Sequence, residues 1–232
     1  MGEAIGKDRG RGEAIGKDRG RIAPVIDFWY EFASTYSYLT ALRIERAASA
    51  RGVGLRWRPF LLGPVFAKAG WPTSPFNLYP AKGAYMWRDM ERLTAAAGLP
   101  FVRPDPFPQN GLLAARVALA LDDPAAVSRF SRAVYLAEFG EGRDIGARET
   151  IAAILAGLDL PADALLARAE TPGIKARLKD EVTAAECAGI FGAPSFTTAD
   201  GDLFWGNDRL EQALDHAVRH AGADAAQEGD PS

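Results

Sequence analysis

Two hydroxyls, Ser34 and Ser37 in Ser34-Thr35-Tyr36-Ser37, sit where an apolar run gives way to a helical pattern. A serine at the first turn of a helix can accept a backbone N–H as its cap, or donate its own proton to a bound anion. Local sequence favours the cap. A nucleophilic serine needs a base beside it, and no His is near. Further along, Phe191-Gly192-Ala193-Pro194-Ser195-Phe196 and Trp205-Gly206-Asn207-Asp208-Arg209-Leu210 mix Gly and Pro with polar side chains. Pro194 punctuates a strand start, and sequence alone reads its peptide bond as trans. Asn207 or Asp208 is a good cap for the last helix. Lys82 stands in a helix first turn, where a solvated lysine is the ordinary reading. His216 and His220 have the i,i+4 spacing of metal ligands, but with no third ligand evident no metal is expected. Cys187, the sole cysteine, reads as a small buried residue in an Ala-rich helix and leaves no internal disulfide.

The elements that must hold these groups read as follows. Pro24 to Phe32 is dense in Val, Ile, Phe, Trp and Tyr, the composition of a strand buried on both faces. A helix then runs from Ser34 to a stop at Gly52, and Leu55 to Phe60 alternates as a second strand. Strand, helix, strand is a βαβ unit. Gly63 to Pro80 is loop-like, with four prolines. Helical periodicity follows in 81–97, 112–121, 125–139, 147–158, 161–168 and 175–188, interrupted by four prolines in 100–108. Strand signals resume at 194–198 and 203–205 around the turn pair Asp200-Gly201. A last helix spans 209–220, and 221–232 reads as a frayed tail. Residues 2–11, GEAIGKDRGR, recur unchanged as 12–21; a repeat so short cannot stack a core, and 1–22 is read as a flexible arm.

At 232 residues and 48% hydrophobic, the chain can bury a substantial core. Its net charge of -3 argues against a nucleic-acid partner. No apolar run reaches the length of a membrane span, and the amino terminus lacks a secretory apolar core, so a cytoplasmic location is expected.

The segments Asp27–Leu39, Pro80–Asp89, Phe191–Phe196 and Trp205–Leu210, in this order, resemble the 2-hydroxychromene-2-carboxylate isomerase family. That family is related to kappa-class glutathione transferases and more distantly to DsbA-type oxidoreductases. The likeness covers residues 24–220. It implies an α/β fold: a thioredoxin-like domain (23–62 and 189–220) with an inserted all-helical subdomain (63–188), the DsbA and kappa-class architecture. It also implies glutathione as cofactor, a planar aromatic substrate, a cytoplasmic enzyme and a homodimer. Ser34 would be the active-site serine, standing where a redox enzyme keeps its first cysteine, with Ser37 at the second. Pro194 would follow a cis bond, with the Ala193 backbone meeting the cysteinyl part of glutathione. Trp205, Gly206, Asn207 and Asp208 would grip its γ-glutamyl end. Lys82 and Trp71 would face substrate, and Trp57, Trp87 and Phe107 are further aromatic candidates for the pocket. Two positions depart from the family pattern. Thr35 replaces the proline after the serine, and Trp71 stands where relatives present an asparagine, beside a small insertion at 74–79. Such an enzyme would isomerise a double bond conjugated to a carbonyl and return glutathione unchanged; a transferase would release the conjugate instead, and a thioredoxin-fold binding module would turn nothing over.

Overall fold

β-branched and aromatic side chains fit a pleated surface covered on both sides, and the first apolar run becomes such a strand, β1 (Val25–Tyr30). The computed structural model describes residues 23–227, the last six of them by backbone alone. The duplicated arm at 1–22 and residues 228–232 lie outside this range. β1 pairs in parallel with β2 (Gly54–Pro59) and antiparallel with β3 (Ser195–Thr198), which pairs antiparallel with β4 (Leu203–Trp205). The four-stranded order β2-β1-β3-β4 puts β1 inside the sheet. Its alternation separates two cores. Ile26, Phe28 and Tyr30 join the larger cluster, and Trp29 joins a smaller one with Phe60, Val182 and Ile190 on the other face.

The helix expected to reach Gly52 is two helices, α1 (Thr35–Ala41) and α2 (Ile44–Ser49), broken at Leu42-Arg43. The break is locked by the Arg43 guanidinium, which donates to Asn207 and pairs with Glu211 across the fold.

The proline-rich stretch after β2 departs from its expected loop. It contains α3 (Leu62–Lys68) and α4 (Pro75–Leu78), followed by α5 (Pro80–Ala97). Pro64 lies in the first turn of α3, and Pro75 and Pro80 each occupy the first position of a helix. A first-turn N–H has no intrahelical acceptor, so proline starts a helix as readily as it ends one. The remaining helices follow the periodicity: α6 (Leu112–Ala120), α7 (Pro124–Tyr135), continued by a π turn over Leu136–Gly140, α8 (Arg148–Gly157), α9 (Ala162–Ala169) and α10 (Pro172–Cys187). Asp123 and Thr171 cap α7 and α10 with side-chain oxygens. These helices are inserted in sequence yet share one core with the sheet: Phe130 and Tyr135 of α7 pack against Phe32, beside Tyr30. Each such aromatic side chain contributes about 1.5–3 kcal/mol by leaving water.

α11 (Leu210–Gln227) extends through most of the segment expected to fray, because Ala-rich sequence after His220 keeps helix propensity. Cys187 is exposed, not buried: it ends α10 just past the last inward-facing residue, Ala185. Among the described residues, no helix is long and apolar enough to cross a membrane.

Candidate active site

Ser34 follows β1 by a short turn in which its N–H donates to the Glu31 carbonyl at 3.0 Å. Its backbone is extended and its hydroxyl accepts the Ser37 N–H at 3.3 Å, so Ser34 caps α1 as the sequence suggests. The same hydroxyl donates to the carbonyl of Ala193 at 2.9 Å, which brings two segments 159 residues apart into contact. The Ala193-Pro194 bond is cis. Ser37 turns inward and is fully buried, and Thr35 is buried beside it at the first position of α1.

These groups border a cavity of about 1300 Å³ with mostly apolar walls. Ser34, Ala193 and Pro194 meet there with Trp205 through Asp208, and with Lys82 and Trp71. The serine, the cis-proline segment, the Trp205–Asp208 segment, Lys82 and Trp71 thus border one space. Around it the exposed rings of Phe191 and Trp205 pack edge to face at 4.8 Å, and Lys82 lies 4.9 Å from the centre of the exposed Tyr79 ring. Phe107 also lines the cavity, but Trp57 and Trp87 do not. Trp57 is spent on packing against Phe28 and Tyr30, and Trp87 lies against Phe107 and under Arg103.

The last segment is built differently from its expected capping role. Residues Asn207–Arg209 form a 3-10 turn whose cap is Gly206, with no side-chain capping bond. Gly206 holds φ 114°, a conformation that favours glycine, and a Cβ there would stand 2.7 Å from Asp208 Oδ1. The Asn207 side chain points inward, its Oδ1 accepting from the Thr40 hydroxyl at 3.0 Å and from Arg43 Nε at 3.1 Å. The Asn207 side-chain oxygen is therefore committed to holding α1 and α2 against this segment. Asp208 stays exposed, 2.9 Å from the Arg209 guanidinium.

Two residues that the sequence did not flag also line the cavity. Glu31 is buried; loss of water pushes its carboxyl up to about 7, while backbone N–H groups of Leu62, Ala33 and Phe32 pull the other way. The Leu62 N–H reaches Glu31 Oε2 at 2.9 Å. Tyr36 donates its hydroxyl to Asp89 at 3.0 Å, tying α1 to α5 across the cavity. Burial, followed by that carboxylate, raises the Tyr36 hydroxyl above its ordinary range. Only the charge of Glu31, placed three residues before Ser34, hinted at either from sequence.

Residues 25–218 match the family model of the DSBA-like thioredoxin domain. The chain belongs to that family. Among curated proteins it is 29% identical over 187 residues to 2-hydroxychromene-2-carboxylate isomerase of Sphingobium xenophagum, covering 80% of this chain and 94% of the relative. It is also 29% identical over 199 residues to glutathione S-transferase kappa 1 of Homo sapiens, covering 80% and 87%. Among solved structures, a 2-hydroxychromene-2-carboxylate isomerase superposes with TM-score 0.76 at 24% identity, covering 89% of this chain and 100% of that one, which shows the shared fold. The relatives of this DSBA-like chain thus include isomerases and glutathione transferases, both enzymes of small molecules.

Proposed function

We propose that this chain binds glutathione with its sulfur against Ser34 and isomerises a double bond conjugated to a carbonyl in a planar aromatic acid of the 2-hydroxychromene-2-carboxylate or hydroxybenzylidenepyruvate type. The observation that carries this is the convergence of Ser34, Ala193, Asp208 and Lys82 on one mostly apolar cavity that no cysteine lines. The sole cysteine, Cys187, lies exposed at the end of α10, so the sulfur chemistry its relatives' names imply needs a thiol from outside.

The residues fit a cysteine-containing tripeptide at three points. The Ser34 hydroxyl offers a donor to sulfur, the Ala193 carbonyl an acceptor to a peptide N–H, and the exposed Asp208 carboxylate a partner to an ammonium. Bound glutathione would supply a thiolate whose reversible addition turns the conjugated double bond into a single bond that rotates before the thiolate leaves. Ser34 has one proton to give, and it now goes to Ala193. Redirected to an anion, that bond becomes charge-assisted and about twice as strong. It also frees the Ala193 carbonyl for a ligand N–H. The first-turn N–H groups of α1 add a field that favours negative charge at the same spot. A thiol with an ordinary pKa near 8.5 needs about 1.4 kcal/mol of selective stabilisation for each pH unit of lowering, and these two sources together suffice for roughly one to two units.

Lys82, held over Tyr79 and by no carboxylate among the described residues, is available to the acid group of the substrate. Trp71 and Phe107 offer flat apolar walls. Glu31, its carboxyl pushed up to about 7 by burial, adds less than a full negative charge to the cavity wall at neutral pH. The reading places the enzyme in the cytoplasm, where glutathione is kept reduced.

The test is to incubate protein, glutathione and hydroxybenzylidenepyruvate and to follow both isomers and free glutathione. Isomerised product with glutathione undiminished is the expected result. Stoichiometric loss of glutathione would replace the reading with a kappa-like transferase. No shift in melting temperature with glutathione or its S-alkyl analogues would leave a binding module of another kind.

A further inference from the structure

Away from the cavity, the turn of the β3–β4 hairpin meets the outer face of α11, and the two histidines of that helix acquire the partner that the sequence did not reveal. One ligand atom from each of Asp200, His216 and His220 lies within 4.8 Å of the other two. Asp200 Oδ2 is 2.8 Å from His216 Nε2, and Asp202 Oδ2 is 3.4 Å from the same nitrogen. The imidazole rings stack at 3.9 Å with an interplanar angle of 19°.

We propose that Asp200, His216 and His220, with Asp202 as a fourth ligand, form a binding site for a divalent transition-metal ion of the zinc type. Four ligands at the zinc–nitrogen and zinc–oxygen distances of about 2.1 Å lie about 3.4 Å apart around a tetrahedron. Asp202 and His216 already have that separation, and the Asp200–His216 hydrogen bond opens by about half an ångström to reach it. Two imidazoles and two carboxylates form a nitrogen and oxygen set suited to zinc, nickel or copper rather than to calcium or magnesium.

The surrounding bonds orient the ligands as outer-shell groups do in metal sites. His220 Nδ1 lies 3.0 Å from the carbonyl of His216; donating its proton there, the ring keeps its lone pair on Nε2. Asp200 Oδ1 accepts the Thr198 hydroxyl at 2.5 Å, which turns Oδ2 toward His216. His216 is itself seated edge-on against Phe204 of β4. A bound ion would pin the tip of the hairpin to α11. The base of that hairpin is formed by Pro194 and Trp205-Gly206, where the Gly206 N–H donates to the Pro194 carbonyl at 2.9 Å, so the ion would brace the wall of the cavity from behind.

The experiment uses the full chain, stripped with chelator. Zinc is titrated calorimetrically, and cobalt is titrated by visible absorption, whose intensity reports tetrahedral coordination. The site predicts one ion per chain, intense cobalt bands and a rise in melting temperature with zinc. His220→Ala and Asp200→Asn should each weaken zinc by about tenfold or more. His220 is exposed, so its alanine variant keeps the fold and decides the matter should Asp200→Asn unfold. No zinc binding to the wild type, or binding of equal strength in His220→Ala, would overturn the proposal; the latter would place the metal on other groups such as Cys187.

Discussion

Replacing Glu31 by glutamine should change how stability depends on pH, and the structure sets both the sign and the size. The folded carboxyl titrates at about 7 instead of 4.5, because burial penalises its charge more than the Leu62, Ala33 and Phe32 amides repay. Unfolded, Glu31 ionises near its ordinary value. Between these two values the folded state holds a proton that the unfolded state has lost, so stability falls as pH rises through that window and levels off above it. At 1.36 kcal/mol for each pH unit, the fall attributable to Glu31 is about 3 kcal/mol. In Glu31→Gln the new side chain would keep an acceptor for the Leu62 N–H but turn an amide toward Ala33, which adds an offset independent of pH. Glu138, buried with neither carboxylate oxygen hydrogen-bonded among the described residues, is raised first by burial and then by the Glu31 charge, so the difference between the two curves reports Glu31 together with its coupling to Glu138. Urea denaturation at half-unit steps from pH 4 to pH 8 is the assay. The wild type should lose about 3 kcal/mol relative to the variant across that range. Parallel curves would refute the idea that Glu31 is held neutral by burial.

Two further substitutions probe the Trp205–Asp208 segment. Gly206→Ala places a Cβ 2.7 Å from Asp208 Oδ1 at φ 114°, so it should cost about 1–3 kcal/mol in denaturation and weaken glutathione measured by calorimetry; unchanged stability and affinity would contradict the assigned strain. Asn207→Ala removes the acceptor shared by Thr40 and Arg43, and should cost about 1–3 kcal/mol even without ligand, whereas a loss of glutathione affinity with no loss of stability would show a direct side-chain contact instead.

The sequence carried much of this architecture, and its failures have local causes. β1 was legible because its run of strand-forming side chains leaves no other reading, and Ser34 because a capping residue closely follows that strand. α3 and α4 were hidden because prolines that begin helices look like prolines that break them. Trp57 and Trp87 were offered to the cavity on residue type alone, and type does not tell which face of an element a ring occupies. The commitment of Asn207 to Arg43 and the approach of Asp200 to His216 are long-range contacts, set only when α11 docks against the sheet. No periodicity in the chain encodes them.

The central claim is that Ser34 makes a borrowed thiol easier to ionise, and an ultraviolet titration of the thiolate of glutathione bound to the protein measures it directly. The account predicts a pKa roughly one to two units below that of the free thiol, with the hydroxyl's share of that lowering lost in Ser34→Ala, while the variant loses at most about 2 kcal/mol of stability with its cap. A bound thiol that ionises as it does in water, or one equally acidic in the alanine variant, would contradict it.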